Sequence, residues 1–148
     1  MKNKFKRHLV GFEPIYGKVL FLGTSVGGNS MDRKFYYMDK RNKFWNYIDN
    51  ICNTNFFSNK KEEYLSSIND DEKKERIRNE IKEKLGEYGI GISDIIRECD
   101  NTTNSSDNGI INVSYNTHLK DWIDRANVVV LNGVCRTQKE FYKVIKKR

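Results

Sequence analysis

A chain of 148 residues carrying 27 Lys and Arg against 20 Asp and Glu, for a formal charge of +7, has the size of one domain with one buried core. Cys52, Cys99 and Cys135 are far apart and contain no CxxC pair, which argues against a disulfide framework or a zinc site and for a reducing cytoplasm. No apolar run approaches the roughly 20 residues needed to span a bilayer, and no apolar stretch follows the basic segment Met1–Arg7 as in a signal peptide, so a soluble protein is expected.

The charge is uneven. Residues 1–50 hold ten basic and four acidic groups, residues 51–99 nine and eleven, and residues 100–148 eight and five. The cationic surface therefore belongs mainly to the first third, where it would concentrate a polyanion such as DNA. A solvated lysine-rich surface explains the same counts.

Lys18–Leu22 is a short apolar run ending in Gly23, and it reads as a strand buried on both faces. The glycine-rich stretch Gly23–Gly28 follows, at the edge where open α/β sheets bind ligands. It matches neither GxxxxGK[ST] nor GxGxxG, which leaves a loop whose amides approach a ligand, or a plain tight turn. Phe35–Trp45 then interleaves aromatic rings with cations and the amide of Asn42. Rings stack on bases, while Lys40, Arg41 and Lys43 are suited to phosphates. Phe44 and Trp45 also read as core residues opening a helix that includes Ile48, Ile51 and Cys52.

Asp70–Tyr88 reads as a charged helix with a narrow stripe of Ile77, Ile81, Leu85 and Tyr88, stopped by Gly89. Ile90–Ile96 is a second strand or a strand leading into a turn, and 101–109 is polar and turn-rich. Asn116 is placed to cap a helix with Leu119, Trp122, Ile123 and Ala126 on one face. Asn127–Leu131 is a strand apolar on both faces, and Phe141, Val144 and Ile145 mark a last helix. This alternation predicts a three-layer α/β/α domain with a central, mainly parallel sheet. The three cysteines are expected in the core, and His8 and His118 on the surface.

Leu20–Gly27, Tyr36–Tyr37 and Arg41–Trp45 resemble the opening of the mismatch-specific uracil-DNA glycosylases, and more closely their hypoxanthine-DNA (deoxyinosine) relatives. The family pattern there is a strand, G-S-x-P-G, a spacer, then Y-Y-A-x-P-x-N-x-F-W. Tyr88–Ile96 is similar to the family's G-I-G-L-W-D-V block, Glu98-Cys99 and the polar loop after it continue the match, and Val129–Gly133 is similar to V-x-F-N-G. Four blocks in order span residues 10–135. Val26 stands at the loop proline, Asp39 and Lys40 stand at the x-P before Asn42, and Thr24 and Ser25 occupy the place of the uracil branch's catalytic asparagine. The family's last strand and minor-groove loop find no counterpart up to Arg148.

The resemblance implies a base-excision enzyme that hydrolyses the N-glycosidic bond of hypoxanthine or uracil flipped from DNA. It implies Asn42 as the catalytic residue and Tyr37 as the ring stacked on the base. Asn132 would read the base edge, and Gly23, Thr24, Ser25 and Gly27 would line the pocket floor. No metal or organic cofactor is implied. No lysine stands out as a Schiff-base former, so the enzyme is expected to be monofunctional. The expected partner is DNA with deaminated or mismatched bases, met by a monomer in the cytoplasm at the nucleoid. A non-catalytic DNA-binding relative and a binder of free nucleobases or nucleotides are the competing readings.

Overall fold

The computed structural model describes residues 5–8, 14–25, 33–101, 109–133 and 135–146. Its elements run β1 (Phe5–His8), β2 (Val19–Gly23), α1 (Phe44–Cys52), α2 (Phe56–Ser66), α3 (Asp71–Tyr88), β3 (Ile90–Asp94), β4 (Ile96–Asn101), β5 (Ile110–Tyr115), α4 (Leu119–Arg125), β6 (Val128–Leu131) and α5 (Arg136–Lys146). The fold is mixed α/β. Strand β2 lies between β3 and β6 and is parallel to both, with Gly23 opposite Asp94 and Leu22 opposite Leu131.

The period of two in β2 divides its side chains between two apolar clusters. Phe21 packs with Phe44, Trp45 and Ile48 of α1, Phe57 and Tyr64 of α2, and Ile77, Ile81 and Leu85 of α3. Leu20 and Leu22 pack instead with Leu119, Trp122 and Ile123 of α4 and with Phe141 and Val144 of α5. Both sets exclude water from β2, which has a parallel neighbour on each side, and both of its faces are accordingly apolar.

Local chemistry sets the helix ends. Asp70 accepts a hydrogen bond from the Lys73 amide at 3.0 Å, and Gly89 closes α3 in the left-handed region at φ 68°. The buried Asp49 carboxylate reaches from α1 to the Phe57 and Ser58 amides, both at 2.9 Å, and so supplies the anion at the start of α2.

The expected parallel sheet is present as β3-β2-β6, but it is not the whole of the strand structure. A second sheet, antiparallel in the order β1-β4-β5, adjoins the first. Only Ile95 separates β3 from β4, so the chain passes directly from one sheet to the other. Asn101 belongs to β4, while 102–108, the rest of the expected loop, lie outside the described residues.

Other expectations change as well. Among the described residues strand β6 lies at the edge of its sheet, paired on its β2 side, with Val128 exposed and the following residues half-buried. Asn116 does not cap α4; its amide donates to the Asp94 carbonyl at 2.6 Å, and His118 holds the cap position. Cys99 is buried, Cys52 is half-buried, and Cys135 is exposed just before α5. His118 is half-buried against the Trp122 ring at 4.4 Å, not a free surface side chain. Among the described residues no helix is long and apolar enough to cross a membrane.

Candidate functional site

The carboxyl ends of β2, β3 and β6 lie side by side because the three strands run parallel, and each delivers one residue to the same edge. These are Gly23, Asp94 and Asn132. The Asn132 amide donates to the Leu22 carbonyl at 2.8 Å, which extends the β6 pairing by one residue and fixes where its side chain starts. Gly23 is needed here sterically. A Cβ at this position would lie 2.5 Å from Asp94 Oδ1 and 2.8 Å from the Tyr37 hydroxyl. Lacking one, the strand end lets a carboxylate and a phenol from distant segments approach each other.

Tyr37 reaches this edge from the loop before α1. Its φ of 55° lies in the left-handed region, an uncommon conformation for a bulky side chain, worth about 1–3 kcal/mol of local strain. One face of its ring stacks on Phe44, with centroids 4.0 Å apart. Its hydroxyl is buried and makes no hydrogen bond of good geometry, although the Asn132 side chain lies beside it. Burial first, then the negative charge of Asp94, push the phenol well above its ordinary pKa; Asn132 acts the other way. The hydroxyl therefore stays protonated and able to donate.

The surrounding segment is held in place by α2. Tyr64 donates to the Arg33 carbonyl, and Lys61, one turn earlier, donates to the Asn42 carbonyl at 2.6 Å. Trp45 Nε1 donates to the Tyr36 carbonyl at 3.1 Å between these two points. Residues 33–42 are thus fastened at both ends and in the middle, which is how the strained Tyr37 backbone is maintained. Lys61 is itself buried among cations. Desolvation lowers its pKa, Arg33 and Lys43 lower it further, and Asp39 opposes them.

Of the residues expected at the site, Gly23, Tyr37 and Asn132 come together. Thr24 is buried beside them, but its hydroxyl is joined to that of Thr137 in α5 at 2.6 Å, and its carbonyl accepts from the Ile96 amide at 2.9 Å. Ser25 is half-buried next to it, and Gly27 lies outside the described residues. Asn42 has a local engagement: its side-chain oxygen accepts from the Phe44 amide at 2.8 Å, a turn that opens α1. Lys40, Arg41 and Lys43 are exposed, with Arg41 drawn to Asp39 through its backbone amide at 2.9 Å.

Sequence reasoning did not single out Asp94. Its signal was present, since it is the one charged residue in the buried run Ile90–Ile96, and a buried carboxylate needs a reason. Among the described residues no group of three or more His, Cys, Asp or Glu side chains is placed to hold a metal ion.

Compared with known protein families, with curated proteins and with solved structures, the chain finds no match in any of the three.

Proposed function

We propose that this protein is a monofunctional DNA glycosylase of the uracil-DNA glycosylase type, hydrolysing the N-glycosidic bond of a deaminated base turned out of DNA. The observation that carries the reading is the buried, unpaired Tyr37 hydroxyl beside Asp94 and Asn132, at the carboxyl ends of three parallel strands. An orphaned buried donor is costly, and it is explained when a ligand supplies the partner. The same edge is where open α/β sheets bind ligands. The packing of α1, α2 and α3 against Phe21, and of α4 and α5 against Leu20 and Leu22, supports the three-layer α/β/α arrangement that such a domain would have.

In this mechanism the base lies against the Tyr37 ring, and the Tyr37 and Asn132 side chains hydrogen-bond to its edge. Breaking the bond leaves positive charge on the sugar and negative charge on the departing base. Donors already aimed at the base stabilise that charge without rearrangement. Asn42 would orient the attacking water through its amide nitrogen while its oxygen holds the Phe44 amide. Lys40, Arg41 and Lys43 would hold the flanking phosphates. A mispaired base costs less to extrude, which favours deaminated bases.

The test uses labelled duplexes carrying uracil or hypoxanthine, treated with alkali after incubation. Strand scission is expected with at least one lesion, reduced on the order of 100-fold in Asn42→Ala. Absence of scission with both, at stoichiometric protein, removes the enzymatic reading. The local engagement of the Asn42 oxygen favours the second reading, a DNA-binding relative that releases no base. That protein would bind duplex equally well with and without Asn42→Ala.

A further inference from the structure

We propose that Lys61 and Arg33, with Lys43 at their rim, bind a backbone phosphate of the DNA strand whose base enters the site. The inference rests on the function proposed above and adds a phosphate subsite to it. Lys61 is only 7 % exposed, and lysines buried to that degree are ordinarily paired with a carboxylate. Here the pairing is missing. Among the described residues neither the Lys61 ammonium nor the half-buried Arg33 guanidinium forms an ion pair. Both heads instead donate to peptide carbonyls of one short loop, Lys61 to Asn42 at 2.6 Å and Arg33 to Met38 at 3.1 Å. The exposed Lys43 follows directly and is close enough to repel Lys61, as Arg33 does. Asp39 attracts Lys61 from a distance, but its carboxylate is engaged by the Arg41 amide at 2.9 Å.

Residues 33–43 carry five basic side chains and one acidic, and α2 adds another cation in Lys61. Holding like charges together in a partly desolvated place is unfavourable, and an anion between them reverses the sign of the interaction. The donors suit a phosphate. An ammonium has three N–H groups and a guanidinium five, and one of each is named above as spent on a carbonyl, so the rest are left for tetrahedral oxygens. The position suits a strand. Lys61 sits on the carbonyl of Asn42, and two residues further on Phe44 is the ring stacked on Tyr37. A phosphate held here is attached to the same loop as the ring that meets the base, so backbone contact and base contact are made by one rigid piece of chain.

The experiment measures the affinity of the full chain for a short duplex carrying one hypoxanthine, and for its undamaged counterpart, over a range of salt. Two variants are compared with wild type. Lys61→Met keeps the length of the stem, and Arg33→Gln leaves the Lys61–Asn42 bond in place. Each should weaken both duplexes by about tenfold and lower the salt slope by about 1. A scan of the DNA needs no variant: neutral methylphosphonates placed one at a time around the lesion should weaken wild type at one position. Lys61→Met should be indifferent to the change at that position, because the two removals share one contact. Unchanged slopes in both variants, or no methylphosphonate position shared with Lys61→Met, overturns the phosphate subsite. Inorganic phosphate bound by wild type while duplex is not assigns the cluster to a free anion and overturns the contact with DNA. Equal affinity of wild type for the two duplexes, with no base released, overturns base reading alone, and the slopes then still decide the phosphate contact.

Discussion

Tyr37 combines two unfavourable features, a left-handed backbone and a buried hydroxyl with no partner, and both face the same strand ends. Replacing it with Phe keeps the stack on Phe44 and removes only the orphan, so the change in unfolding free energy should stay within about 1 kcal/mol, and stabilisation is the expected sign. Binding of uracil should weaken by about tenfold, the effect of one neutral hydrogen bond. Urea unfolding and base titration on the same sample check both; a destabilisation above about 2 kcal/mol would mean that the hydroxyl supports the fold. Much of this site was legible at the residue scale. The aromatic and cationic run, the glycine after an apolar strand and the Asn after another all carry local signals. Asp94 was hidden because its significance lies in a pairing across strands, Gly23 opposite Asp94, that no window of sequence contains.

Elements with their own punctuation were the legible ones. Helix α3 has its cap at Asp70, its stripe at Ile77, Ile81 and Leu85, and its stop at Gly89, all within 20 residues of sequence. Helix α2 has no comparable stripe; its start depends on Asp49, which belongs to another helix. Strands β4 and β5 carry polar residues, Glu98, Asp100 and Asn112 among them, and acquire their identity from pairing with each other. Helix α5 depends on a charge cluster read only in three dimensions. Glu140, fully buried, accepts from Tyr115 and from Arg136 Nε at 2.8 Å, with Lys143 at 3.4 Å. Burial pushes its carboxyl up, but the Tyr115 hydroxyl and the two cations outweigh burial and hold it below the ordinary carboxylate range. Tyr115 is pushed up to about 12 by burial and by the same carboxylate. A depressed carboxyl stabilises the fold above its unfolded pKa and loses that contribution as pH falls through the folded one. A raised phenol stabilises below its ordinary value of 10.0 and loses that contribution as pH climbs toward 12. Stability measured against pH should therefore fall at both ends, and Glu140→Gln should flatten both flanks. If both flanks stay unchanged, the cluster does not anchor α5.

At the scale of the whole molecule, the proposed function combined with the charge of +7 and the exposed Lys40, Arg41 and Lys43 predicts duplex binding that weakens steeply with salt. Each phosphate contact contributes a slope of about 0.9 in the logarithmic plot of affinity against salt. Lys43→Ala should lower that slope by about 1 on the proposed reading, as removal of one phosphate contact does. Equal slopes in Lys43→Ala and wild type would remove Lys43 from the phosphate contacts. The parallel sheet was legible because its strands are apolar runs. The antiparallel sheet beside it was not, because pairing across more than 80 positions, as between Phe5 and Asn101, leaves no local trace.

The passage of the chain from β3 to β4 through one residue has a mechanical consequence. The Ile95 and Ile96 amides donate to the Gly23 and Thr24 carbonyls, both at 2.9 Å, and the Ile95 side chain is inaccessible to solvent. The two sheets therefore meet at a rivet rather than a hinge: one cannot swing against the other without tearing the end of β2, where Gly23 and Asp94 sit. These two amides should exchange with deuterium only on global unfolding, among the slowest in the chain. Fast exchange at either would reveal a joint that bends.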